Sequence, residues 1–79
     1  MKTVNILESQ AYAGRFYTGV TDDIQNRVIE HNDGKSLHTA KFRPWVLRAA
    51  ISFADESKAH AFERYLKTGS GRTFTKRHF

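Results

Sequence analysis

The run from Trp45 to Phe53 constrains the fold more than any other part of the chain. Trp45, Leu47, Ala49, Ile51 and Phe53 alternate with Val46, Arg48, Ala50 and Ser52. Successive side chains of a strand point to opposite faces, so this period of two gives one strongly apolar face and one face with a single charge. Such a strand needs neighbours in a sheet and helices over its apolar face. In this phase Trp45 falls in the core with Leu47, Ile51 and Phe53.

Two earlier runs supply the neighbours. Val4-Asn5-Ile6-Leu7 is a short apolar strand with one polar intruder. Residues 15–20 are rich in aromatic and β-branched types, with Phe16, Thr18 and Val20 on one face and Arg15, Tyr17 and Gly19 on the other. Residues 9–14 read as a turn, since Ser9 and Gln10 are polar and Gly14 frees the backbone. The two runs make a β-hairpin with a longish loop.

A helix follows. Thr21 is the expected N-cap, with Asp22 and Asp23 in the first turn, where the helix dipole favours negative charge. Ile24, Arg27, Val28 and His31 share one face, and Asn32-Asp33-Gly34 ends the helix with Gly34 suited to a left-handed position. Lys35 to Pro44 is polar, basic and loop-like, and Pro44 biases Arg43 toward an extended conformation. After the alternating strand, Asp55 is the expected cap of a second helix with an Ala59, Phe62, Leu66 stripe, stopped by Gly69. Residues 70–79 form a last short helix with Phe74 inward and Arg72, Lys76 and Arg77 toward water. The order β-β-α-β-α-α is an α+β arrangement: a small three-stranded antiparallel sheet flanked by helices.

The chain has 79 residues, enough for one domain over residues 1–79. A chain this short buries only roughly 60% of its unfolded surface, so the core is small, and a partner or a second copy in a homodimer would add stability. Cysteine is absent, which excludes disulfides, thiolate metal sites and a Cys nucleophile. No apolar run approaches the roughly 18 residues of a membrane span, and the N-terminus has no signal-peptide pattern, so a soluble cytoplasmic protein is expected. Hydrophobic residues at 39% and aromatics at 13% argue against disorder. Residues 1–33 carry three basic and five acidic side chains, whereas residues 34–79 carry ten basic and three acidic. A polyanion such as nucleic acid is the natural partner of that second half.

The run Gly14-Arg15-Phe16-Tyr17-Thr18-Gly19-Val20-Thr21, then Arg27, Glu30-His31-Asn32 and Gly34-Lys35, resembles the single-domain GIY-YIG endonuclease-like proteins. So do Arg43-Pro44-Trp45, the stretch Ala61-Phe62-Glu63-Arg64-Tyr65-Leu66-Lys67, and Gly69-Ser70-Gly71-Arg72. The likeness covers essentially the whole chain and implies the same three-stranded sheet. It implies divalent-metal-dependent cleavage of a phosphodiester, with DNA as the expected nucleic acid and Mg²⁺ or Mn²⁺ as cofactor. Carried over by position, Glu63 binds the metal, Tyr17 sits in the catalytic pocket, Arg27 and His31 handle the phosphate, and Gly19 allows close backbone approach.

The physics of such a site is coherent. A hard cation neutralises phosphodiester charge and stabilises the leaving oxygen, and Mg²⁺ needs few protein ligands because it retains water and takes phosphate oxygens. Arg offers a planar donor fork suited to phosphate. On position alone, Glu63 also reads as a solvated carboxylate paired with Lys67, Arg27 and His31 as a helix edge, and Tyr17 as strand packing.

Asn5 departs from the pattern, because the family's first motif places a Tyr there. An amide cannot act as a base, although it can orient a water or a phosphate. The alternative is therefore a non-cleaving nucleic-acid-binding module of the same fold, and a protein-interaction domain is a third reading. Lys35, Lys41, Arg43, Arg72, Lys76 and Arg77 are the expected phosphate-backbone contacts, with Trp45 and Phe74 near them in sequence. His38, His60 and His78 show no metal-ligand spacing.

Overall fold

The computed structural model describes residues 1–79. Three strands, β1 (Lys2–Ser9), β2 (Phe16–Thr21) and β3 (Trp45–Phe53), form one antiparallel sheet in the order β2-β1-β3. The helices are α1 (Ile24–Asn32), α2 (Leu37–Ala40), α3 (Glu56–Leu66) and α4 (Gly69–His78). The expected order holds, with one addition. The basic stretch 35–44, expected as loop, contains the single helical turn α2.

The register of the sheet decides what each face carries. Val4 lies opposite Val20, Asn5 opposite Gly19, Ile6 opposite Thr18 and Leu7 opposite Tyr17. Val4 and Ile6 therefore share a face with Thr18 and Val20, while Asn5 and Leu7 share the other with Tyr17 and Gly19, as the alternation in the sequence predicts.

The third strand departs from its expected phase. Ile6 lies opposite Ala49 but Leu7 opposite Leu47, so Arg48 is an unpaired extra residue at a β-bulge. Ala49, Ile51 and Phe53 join the face of Val4 and Ile6. Trp45 and Leu47 are moved to the face of Leu7 and Ser9. Trp45 is buried, but on the opposite side of the sheet from Phe53, and Leu47 is exposed. Arg48 leans to the side of Glu8, where its Nε donates to the carboxylate at 2.9 Å.

The core lies on the first of these faces. Val4, Ile6, Ala59 and Leu66 are fully buried, with Phe16, Val20, Ala49, Phe53, Phe62, Phe74 and Phe79 against them. The Ala59, Phe62, Leu66 stripe docks α3 onto the sheet, and Phe62 meets Phe53 with ring centres 5.7 Å apart. Helix α1 covers the other face and buries His31 there.

Three local expectations are corrected. Thr21 ends β2, so α1 is capped by Asp23, whose carboxylate accepts from the Asn26 N–H at 3.1 Å. Asp22 instead pairs with Lys2 at 2.9 Å. Helix α3, capped by Asp55 as expected, ends at Leu66 before Gly69 is reached, and Gly69 is the first residue of α4. The corner is held by Thr68, which donates to the Tyr65 carbonyl at 2.6 Å and accepts from the Gly71 N–H at 3.1 Å. Gly34 adopts φ +76°, the left-handed conformation that suits glycine after a helix.

Candidate active site

Tyr17 of β2 is the centre of a polar cluster on the α1 face of the sheet. Arg27 and His31 are one turn apart on α1, and that spacing brings both to the same phenol. The Tyr17 and His31 rings are 4.4 Å apart at their centres. Arg27 Nη2 lies 3.5 Å from the Tyr17 hydroxyl, at the outer limit of a hydrogen bond. Asn5 comes from β1 directly opposite Gly19. A Cβ on Gly19 would lie 3.1 Å from Asn5 Oδ1 and 3.2 Å from the Tyr17 hydroxyl. Glycine at this position leaves the space that both side chains use.

The cluster holds an unusual amount of unsatisfied polarity. Asn5 is fully buried and His31 is 1% exposed. Both amide atoms of Asn5, Arg27 Nε and His31 Nε2 are buried without a hydrogen-bond partner. Each such group costs about 1–3 kcal/mol, and most buried polar atoms in folded proteins are paired. Four of them within one side-chain neighbourhood mark a place where the fold gives up stability. Burial pushes the His31 pKa below its ordinary 6.5, and the Arg27 charge pushes it the same way, with Glu30 opposing. His31 is therefore neutral at pH 7.

Two residues that sequence reasoning missed hold this cluster in place. Thr39 Oγ1 lies 2.8 Å from His31 Nδ1, and both side chains are buried. The Thr39 carbonyl also accepts from the Trp45 indole at 2.9 Å. Asn32 clamps the backbone of Trp45: its Oδ1 accepts from the Trp45 N–H at 2.6 Å, and its Nδ2 donates to the Trp45 carbonyl at 3.1 Å. Thr39 had no sequence signal beyond a short polar side chain in a region read as loop, whereas Asn32 stood in the Glu30-His31-Asn32 motif of the family resemblance without a role of its own.

Glu63 stands apart from the cluster. It lies on α3, across the sheet from α1, with its side chain 17% exposed and ion-paired to Lys67 one turn on. It makes no hydrogen bond or ion pair to Tyr17, Arg27, His31 or Asn5, and no three His, Cys, Asp or Glu residues converge as a metal cage. A lone, mostly buried carboxylate still fits a hard cation such as Mg²⁺, whose remaining positions go to water and substrate oxygens.

The expected phosphate contacts divide. Lys35, Lys41, Arg43, Arg72, Lys76 and Arg77 are all exposed. Arg72 and Lys76 line a groove beside β2, whereas Lys41 lies over the Phe42 ring at 5.3 Å and the Arg43 guanidinium abuts Gly34. Trp45 is buried and Phe74 half-buried on opposite faces of the sheet, so the two do not form a common aromatic track with these residues. Tyr12 sits on the hairpin loop against Phe42, with ring centres 5.3 Å apart.

The model of the GIY-YIG catalytic domain family matches residues 1–77. The chain belongs to that family. The GIY-YIG chain is 42% identical over 55 residues to a UPF0213 protein of Halobacterium salinarum, a match covering 68% of this chain and 71% of that protein. A UPF0213 protein of Lacticaseibacillus paracasei is also 42% identical over 55 residues, covering 68% of this chain and 62% of the relative. The UPF0213 protein YazA of Bacillus subtilis is 42% identical over 53 residues, covering 66% and 54% respectively. No solved structure matches the chain. A GIY-YIG domain carries nuclease-type function in general and implies a nucleic-acid substrate. No helix of this one is long and apolar enough to cross a membrane.

Proposed function

We propose that residues 1–79 form one nuclease domain that hydrolyses phosphodiester bonds of DNA with the help of Mg²⁺ or Mn²⁺. The observation that carries this reading is the cluster of unpartnered buried polar atoms on Asn5, Arg27 and His31 around the Tyr17 hydroxyl. Such groups are costly to the free protein and become partnered when a phosphate and a water enter. The Arg27 guanidinium donates to the phosphate oxygens as charge builds there. The Tyr17 hydroxyl lies beside it, placed to orient the attacking water and, once its own proton has left to solvent, to take the water's proton as the phenolate. His31, neutral with Nδ1 tied to Thr39, directs Nε2 as the second polar contact to the water or phosphate. The water oxygen bonds to phosphorus as its proton passes to Tyr17, and the bond to the leaving oxygen breaks with that oxygen protonated from solvent. Glu63 is the residue that would hold the divalent ion, which would supply neutralisation of phosphate charge to a substrate that passes round the β2 edge between α3 and the cluster.

The test is cleavage of supercoiled plasmid and branched oligonucleotides at low salt, with Mg²⁺, Mn²⁺ or EDTA. Native protein is expected to cut only with metal. Glu63→Ala and Tyr17→Phe are each expected to cut at least about a hundredfold more slowly, the usual scale for losing a proton-transfer or charge-stabilising group. Undiminished cutting by Glu63→Ala would sink the mechanism.

One observation favours a second reading. Asn5 stands where the family places a Tyr, and its buried amide has no partner. A domain that binds without cutting would show salt-sensitive binding, no metal-dependent cleavage, and cleavage gained by Asn5→Tyr.

A further inference from the structure

We propose that the groove between β2 and α4 holds backbone phosphates of the substrate strand next to the one engaged at Tyr17. This rests on the nucleic-acid reading above, and it names where the rest of the strand lies. The groove, of about 530 Å³, is lined by Arg15, Tyr17, Lys67, Arg72 and Lys76 among others, and no carboxylate lines it. Arg15 and Tyr17 come from the edge of the sheet, Lys67 from the end of α3, and Arg72 and Lys76 from successive turns of α4. Arg72 and Lys76 make no ion pair, Lys67 pairs with Glu63, and the Arg15 guanidinium lies over the Phe42 ring, 4.3 Å from its centre.

Lys67, Arg72 and Lys76 crowd one concave surface, and no carboxylate lines the groove to offset their repulsion. A row of phosphates would do so, with release of their counterions. The occupant is a nucleic-acid strand because the groove runs along the edge strand β2, whose Tyr17 turns its side chain to the polar cluster on the other face of the sheet. A strand with one phosphodiester engaged at that cluster reaches the groove by passing round the β2 edge. The contacts are to the backbone alone, so they position the strand without reading its sequence. Lys35, Lys41, Arg43 and Arg77, expected as equal partners from sequence, lie outside the groove.

The test measures fluorescence anisotropy of labelled duplex and single-stranded oligonucleotides between 50 and 200 mM salt, in EDTA so that binding is read without cleavage; these concentrations are the usual range for such slopes, roughly a fourfold span. Arg72→Ala/Lys76→Ala is expected to weaken binding roughly tenfold or more and to flatten the plot of log affinity against log salt by about 2. Lys58→Ala on the outer face of α3 is expected to leave it unchanged. If the double variant melts earlier than native protein, the single Arg72→Gln and Lys76→Gln variants replace it, each with an expected change of about 1.

An unchanged slope in the groove variants overturns the proposal. So does a loss that follows Lys35→Ala/Lys41→Ala instead, or equal competition by heparin of matched charge, or no binding by native protein even at the lowest salt. Plasmid cutting is scored separately. Groove-dependent binding without cutting would leave the groove standing and remove the nuclease reading; cutting with groove-independent binding would do the reverse.

Discussion

Asn5 is where stability and chemistry separate most sharply. Its buried amide is unpaired at both atoms, so an apolar residue of similar size removes a cost rather than a contact. Asn5→Leu is expected to raise the unfolding free energy by about 1 kcal/mol or more, read from urea midpoints, while abolishing any cleavage the native protein shows. A lower midpoint would mean that the amide is satisfied in solution. Thr39 makes the opposite case. Thr39→Val leaves His31 with neither ring nitrogen partnered, and is expected to cost about 1–3 kcal/mol, with most of it recovered by Thr39→Ser. The tautomer of His31, read from its ring nitrogen shifts by NMR, should change in the valine variant and not in the serine one. The residues of the cluster were legible unevenly. Tyr17, Arg27 and His31 follow from strand alternation, helix spacing and the family resemblance. Thr39 was not legible, because its partner lies across a chain reversal that no local pattern encodes. The tie between Glu63 and Lys67 was readable from their spacing on one helix; that Glu63 lies across the sheet from Tyr17 depends on the fold.

At the scale of elements, the α3–α4 corner depends on one glycine and not on its neighbour. A Cβ on Gly71 would run into the Tyr65 carbonyl and the Leu66 backbone, whereas one on Gly69 would meet nothing. Backbone cannot step aside as a side chain can. Gly71→Ala is expected to cost at least the ~1–3 kcal/mol of ordinary overpacking. Gly69→Ala is expected to be neutral or to add up to about 1 kcal/mol through helix propensity. Urea titration of the two variants side by side checks both signs. The helix stripes, the faces of β2 and the Asp55 cap could all be read locally, because each is fixed by residues within a turn or two. The bulge could not. Both phases of the run 45–53 look apolar, and an unpaired Arg48 exists only relative to β1. The Thr21 cap failed for a related reason: Thr21 and Asp23 are both good caps, and the extent of β2 decided between them.

For the molecule as a whole, acid acts on stability in two steps. The folded-state pKa of His31 is below its ordinary 6.5, so the unfolded chain takes up the proton first. Stability is full above about pH 6.5 and falls as pH drops below it. Glu8, held down by the Gly14 N–H and then by Arg48, and Asp55, held down by Ser57, also have folded pKa values below their ordinary 4.5 and 3.8. Their contributions are present above those values and are lost as pH falls further, giving a second, shallower decline. Thermal melts from neutral to strongly acid pH should show both steps. His31→Asn should remove the upper one and leave the lower. A native melting temperature that stays level through the upper range would contradict a neutral buried His31.

The central strand β1 sends Val4 and Ile6 into the core and Asn5 to the opposite face, against Gly19 and Tyr17. One strand thus serves two independent requirements in strict alternation. In a saturation scan of this chain, with cellular abundance and nucleic-acid processing scored separately, substitutions at positions 4 and 6 should deplete both scores together. Apolar residues of similar size at position 5 should deplete only the second, so that tolerance of such residues along β1 oscillates with the pleat itself.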